Sequence, residues 1–262
     1  MKEGQRLWTR DELLVAINLY CKLPFGQLHK GNPEIIRLAA LLGRTPSSIA
    51  LKLVNFASLD PSLDRVGMSN ASKLDRQVWA EFYADWAGRV LESEQRLAEA
   101  QHLTLEEVAE QYEPLPPQPV GRMKEQLVKV RVNQQFFRRT VLAAYDNTCC
   151  VTGLRQPALL VAGHIRPWAV DEANRLNPRN GLALNALHDR AFELGLFTIR
   201  PDDYVIEVAP SVRLSSRPDA QSAGALLGQY HGQALRLPAR RRFLPDPEFL
   251  DWHRTKWKST HV

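Results

Sequence analysis

Three side chains in the second half of the chain have the types and order to do chemistry together. His164 directly follows the apolar run Leu159-Leu160-Val161-Ala162, so it would emerge at the end of a short strand. Asn180 sits on the turn Asn177-Pro178-Arg179-Asn180-Gly181, and His188 lies in the first turn or two of a helix whose spacing runs from Ala186 to Leu194. An imidazole ionises near neutrality, so it can take a proton from water at physiological pH or serve as a metal ligand. Singly, such histidines are more often structural; as an ordered set they are informative. Of the other five, His29, His102, His231 and His261 look incidental by position, and His253, beside Trp252 and Trp257, reads as packing.

The elements that must position these groups form a compact unit. Strand, loop, short strand and helix follow one another over roughly forty residues. Upstream, Asn133–Leu142 reads as an amphipathic helix ending near Tyr145, with Arg138 and Arg139 facing phosphates or water.

Three segments carry a family resemblance: Ala162-Gly163-His164-Ile165-Arg166-Pro167-Trp168, Arg175-Leu176-Asn177-Pro178-Arg179-Asn180-Gly181-Leu182, and Leu187-His188-Asp189-Arg190-Ala191-Phe192. With Cys150-Val151-Thr152-Gly153 before them and Arg241–Leu250 after them, this region resembles the HNH nucleases of the ββα-metal fold, in a restriction-endonuclease-like branch. The resemblance implies that His164 is a general base and His188 a ligand of a divalent ion, Mg²⁺ or Mn²⁺. Asn180 would pin the backbone and orient His164. Arg166, Arg179 and Arg190 are candidates to hold phosphate, and Arg240-Arg241-Arg242 could add nonspecific affinity for a nucleic-acid backbone.

Two departures matter. Many HNH proteins carry an acidic metal ligand just before the first histidine, where this chain has Gly163. His188 would then hold the ion with phosphate oxygens and water, and Asn185 and Asp189 are the further candidates; Mg²⁺ readily keeps several waters. Some HNH domains are also stapled by two Cys-x-x-Cys pairs. Here Thr152 stands where the partner of Cys149 would fall and no cysteine lies downstream, so no structural zinc is expected.

The amino-terminal region reads as helical. Thr9 and Glu12 form a capping-box pattern, Pro33 opens a second helix that stops at Gly43, and a third starts at Thr45 or Pro46. The short glycine turn between the second and third suits a helix-turn-helix unit, which would present Ser47, Ser48, Lys52 and Asn55 to DNA. The region also looks like the helical domain preceding HNH modules in some modification-dependent restriction enzymes. Trp8, Phe25 and Phe56 are the aromatics available for sensing a methylated cytosine.

Charge divides along the chain. Residues 1–78 carry eleven Lys/Arg against seven Asp/Glu, residues 79–120 two against nine, and residues 121–262 twenty-one against thirteen, giving +4, −7 and +8. Two basic lobes around an acidic middle fit a polyanionic partner. The expected organisation is α+β. An all-helical DNA-recognition domain (1–78) is joined by an acidic helical spacer and Pro-rich linker (79–120) to an HNH nuclease domain (121–262). Double-stranded DNA is the expected partner, and cutting both strands predicts a homodimer. Hydropathy leaves no membrane span, and three cysteines with no signal-peptide core fit a reducing cytoplasm. Two other readings stand beside this one: a DNA-binding protein with a degenerate HNH fold, and a defence effector nuclease of low specificity.

Overall fold

The computed structural model describes residues 6–60, 63, 70–111, 121–213 and 223–261. The chain forms two compact units, Met1–Thr140 and Val141–Val262. Helices and two small sheets make it α+β. The Leu115–Val120 stretch expected to be the Pro-rich linker lies outside the described residues.

The first unit is helical: α1 (Arg10–Lys22), α2 (Pro33–Leu41), α3 (Pro46–Ser58), α4 (Lys73–Ala84), α5 (Trp86–Ala100), α6 (Leu105–Glu110) and most of α7 (Arg122–Ala144). Thr9 and Glu12 satisfy each other's backbone N–H groups at the start of α1, the reciprocal box expected from the sequence. Everything in α1 from Glu12 to Lys22 is buried. A helix enclosed on all sides must pair its polar residues. Asn18 accordingly donates to Ser93 Oγ (2.7 Å) and Glu94 Oε1 (2.9 Å), Lys22 pairs with Glu94, and Arg10 binds Glu81 and Glu92.

Those partners tie the acidic segment 79–120, expected to be a helical spacer, into the helical unit. Its first helices pack along α1, and part of its acidic charge neutralises basic groups there. The aromatic stripe of α4 is core: Trp79 stacks on Phe56 (6.2 Å between centroids), and Phe82 meets Trp86 and Phe136. Because Phe136 packs there and Arg139 binds Glu34, α7 up to Thr140 belongs with the helical unit, past the boundary expected at residue 120.

The second unit is built on an antiparallel hairpin. Strand β1 (Leu160–His164) pairs with β2 (Gly181–Asn185) in the register Leu160↔Asn185 to His164↔Gly181. Helix α8 (Ala186–Glu193) leaves β2 without a loop. A second hairpin of β3 (Phe197–Ile199) and β4 (Ile206–Val208) follows, then the short α9 (Pro210–Arg213) and α10 (Ala223–Leu227), and finally α11 (Pro247–His261). The core here includes Phe192, Phe197, Phe243 and Leu250. His253 stacks face to face on Phe192, its centroid 3.7 Å away, accepting from Thr198 Oγ1 and donating to the Phe192 carbonyl, which is the packing role expected of it.

Candidate active site

The register of the hairpin brings two of the three motif residues together. His164 ends β1 opposite Gly181, so Asn180 lies one residue before its partner. Asn180 is fully buried. Its Oδ1 accepts from the Arg166 N–H (2.8 Å), and its Nδ2 donates to the carbonyls of Arg166 (3.0 Å) and Asn174 (3.3 Å). The Asn180 carbonyl also accepts from the Ile165 N–H at 2.9 Å. One side chain thus closes the loop onto the end of the strand that carries His164.

His164 is held through its ring. Nε2 lies 3.0 Å from the Arg175 carbonyl, which can only accept, so in the neutral ring the proton is on Nε2 and the basic lone pair on Nδ1. Burial lowers the pKa of His164, and the bond to Arg175 partly offsets it. The result is an imidazole neutral at pH 7. Trp168 meets the ring edge-on (5.6 Å), and Arg175 fixes Trp168 by donating to its carbonyl (2.8 Å) and lying over its ring. Sequence reasoning missed Arg175, because its grip on His164 uses a backbone oxygen that no residue type advertises.

The third motif residue, His188, stands in the first turn of α8. Asn185 caps α8 by accepting from the His188 N–H (2.9 Å), and the same oxygen accepts from His188 Nδ1 at 2.9 Å. The ring then packs edge-on against Phe197 and Tyr230. It is 4% exposed, its pKa lowered by burial, and Nε2 has no hydrogen-bond partner among the described residues. His188 and Phe192, one turn apart, make the inward stripe of α8 onto β3.

Asn185 and His188 belong to a hydrogen-bonded knuckle with Cys149 and Thr152. The Cys149 Sγ accepts from the N–H groups of Asn185 (3.3 Å) and Thr152 (3.5 Å), while Asn185 Nδ2 donates to Thr152 Oγ1 (3.4 Å). Cys149, Thr152, Asn185 and His188 are therefore linked through hydrogen bonds. Among the described residues no group of three or more His, Cys, Asp or Glu is placed to hold a metal. Both cysteines are fully buried, and burial pushes the Cys150 thiol well up, so it is no nucleophile.

A cleft of about 740 Å³ opens beside His164. Gly163, His164, Trp168, Asp189, Arg190 and Glu193 line it together with residues of α11, and His188 does not. A side chain at position 163 would meet the Asp189 carboxylate, which would have to swing away, so glycine lets that carboxylate lie against the strand. Burial, and then the neighbouring Glu193, raise the pKa of Asp189. Carboxylate oxygens are donors suited to a hard ion such as Mg²⁺ or Mn²⁺, so the cleft fits the ion the motif implies.

The arginines are all engaged within the protein. Arg166 binds Asp171 (3.3 Å) and Glu248 (2.8 Å), Arg179 binds Asp246 (3.0 Å), and Arg190 binds Glu193 (2.9 Å). In the first unit, Gly43 at φ 60° makes the expected turn and Thr45 caps α3. Ser47 is exposed and Ser48 half-buried, but Lys52 and Asn55 point inward. Lys52 Nζ donates to both Asp75 oxygens (2.8 and 2.9 Å), so α3 does not offer it as an outward contact. A second cleft, of about 970 Å³, is lined by Arg6, Trp8, Arg44, Ser48, Lys52 and Lys73 among others. Arg44 lies 4.0 Å over the Trp8 ring; Phe56 is buried.

Residues 149–200, which span the knuckle, the first hairpin, α8 and β3, match the family described as HNH endonuclease. The second unit therefore carries an HNH endonuclease domain over these residues. Comparison of the chain with curated proteins returns no match. Among the described residues no helix is long and apolar enough to cross a membrane.

Proposed function

We propose that the chain is a divalent-metal-dependent DNA endonuclease of the restriction type, with His164 as general base. The observation that supports this reading best is the Nε2–H bond from His164 to the Arg175 carbonyl, at the edge of a cleft lined by a carboxylate. That bond selects the tautomer whose Nδ1 can accept a proton from water, and burial keeps it deprotonated at neutral pH. Asn180 acts on the reaction through position, by fixing the loop against the strand end. Of His188, Asn185 and Asp189, Asp189 alone lines the cleft. A divalent ion bound there would withdraw charge from the scissile phosphate and stabilise the departing 3′ oxygen.

The helical unit chooses the site in this reading. Its basic cleft around Trp8, with Ser47 and Ser48 on the accessible side of α3, is the surface for double-stranded DNA. A narrower form of the proposal is preference for DNA carrying 5-methylcytosine, cut by a homodimer with one HNH site for each strand.

Plasmid cleavage with Mg²⁺ or Mn²⁺ tests the proposal. His164→Ala should slow cutting by about 10²- to 10⁴-fold, the usual contribution of a general base. Wild-type rates in that variant would remove His164 from the chemistry. Equal cutting of methylated and unmethylated DNA of one sequence would remove the modification preference. Binding with no cutting under either ion would favour a degenerate nuclease fold, and dispersed ends a low-specificity effector.

A further inference from the structure

We infer that Trp252 of α11 is a stacking platform for a nucleobase that has left its pair beside the scissile phosphate, so that DNA already unpaired at the cut is the preferred substrate. The inference rests on the nuclease reading above and names the form of DNA its cleft accepts. The cleft beside His164, about 740 Å³, is far larger than an attacking water needs and falls in the range that encloses a small organic ligand. Three of the chain's six tryptophans line it: Trp168 from the loop after β1, and Trp252 and Trp257 from α11. Leu194, 51% exposed, adds apolar surface. The charges around it balance, Arg190 and Lys256 against Asp189 and Glu193. Such a lining suits the flat, neutral face of a base better than a run of phosphates.

Of the three indoles, Trp252 is the one placed to stack. The residues after it fix α11, His253 by lying on Phe192 and Arg254 by binding Glu207 at 2.7 Å. Trp252 itself is half-buried, and among the described residues it makes no hydrogen bond and meets no other aromatic ring. Trp79 and Trp86 of the helical unit, by contrast, pack on neighbouring rings. Lys256, one turn along α11, puts its ammonium 5.5 Å from the Trp252 centroid, positive charge for the phosphate that accompanies the base. Trp168 is already committed, its ring under Arg175 and edge-on to His164, so it marks the catalytic end of the same cleft. A base reaches such a platform from a duplex only by breaking its pair and its stack, a cost that an unpaired strand does not carry.

Photocrosslinking reads the contact without reference to turnover. A duplex with a short internal loop of unpaired 5-iodouracil nucleotides, irradiated with the full chain in EDTA, should crosslink to the α11 peptide that carries Trp252. A folded Trp252→Leu keeps apolar bulk without a ring face and should lose that crosslink, whereas Trp252→Phe should keep it. With Mg²⁺ the wild type should cut the looped duplex at the loop, at least about tenfold faster than the fully paired duplex of the same sequence, a difference set by the stacking of one base. Trp252→Leu should lose this preference and Trp252→Phe should retain it. Crosslinks that map only to other peptides, an unchanged crosslink in Trp252→Leu, or equal cutting of looped and paired duplexes by the wild type would each overturn the inference. If the wild type cuts DNA while Trp252→Leu crosslinks and cuts as it does, the nuclease reading survives and this one falls. If the wild type crosslinks through Trp252 but cuts with neither Mg²⁺ nor Mn²⁺, the platform stands and the nuclease reading falls.

Discussion

His164 works, in the proposed chemistry, only as the neutral ring, and burial lowers its pKa from the ordinary 6.5. The sign follows: protonation as pH falls removes the base, so the single-turnover cleavage rate should be flat from pH 7 to 8. It should decline on the acid side, with a midpoint below 6.5. A midpoint above 6.5 would contradict the placement of the ring. Asn180→Ala should act differently, because it leaves the base intact but strands the buried polar groups of Arg166. A melting curve should show a loss of about 1–3 kcal/mol, and the cleavage rate should drop with the pH midpoint unmoved. The histidine that the sequence could not resolve is His188. Neighbouring residues on a helix point about 100° apart, so a spacing pattern that finds α8 does not say whether 188 or 189 faces the strand. The structure puts 189 there.

At the level of elements, much was legible. The apolar run before His164, the Asn-Pro-Arg-Asn-Gly turn and the helical spacing after Ala186 gave the hairpin and α8, because each has a local signal. The strands β3 and β4, three residues each, carry no period long enough to read. The burial of Lys52 and Asn55 was not legible for a different reason: the partner that holds Lys52, Asp75, lies on another helix and is not marked locally. Lys52→Met should therefore cost about 3–5 kcal/mol of stability in denaturant unfolding, as breaking one side of a buried pair does. A small effect confined to DNA affinity would favour the outward reading instead. The knuckle of Cys149, Thr152, Asn185 and His188 gives a further expectation. Stripping metal with a chelator should stop the proposed cleavage yet leave the melting temperature unchanged, since these four residues are joined by hydrogen bonds.

For the molecule as a whole, the net charge of +5 conceals how the charges are used. Glu81 of α4 and Glu92 and Glu94 of α5 are committed to Arg10 and Lys22 in the helical unit, so they keep less negative charge for repelling a polyanion than their count suggests. The second unit carries its own acid sensitivity. His253 is buried and neutral, its pKa lowered to about 4, whereas the unfolded chain takes the proton near 6.5. Stability from this residue is complete above pH 6.5 and drains away as pH falls toward 4. The gap, at about 1.4 kcal/mol for each pH unit, is worth about 3 kcal/mol at the acid end. Comparing the pH dependence of unfolding in the wild type and His253→Gln should isolate it; parallel curves would deny it. The hydrogen-bonded knuckle also bears on where such a protein can survive. Oxidants disable zinc-stapled folds by attacking the thiolates and ejecting the ion. In this knuckle the Cys149 sulfur accepts two backbone N–H groups and is sealed from solvent. A burst of peroxide that collapses a thiolate-stapled nuclease should leave this one cutting.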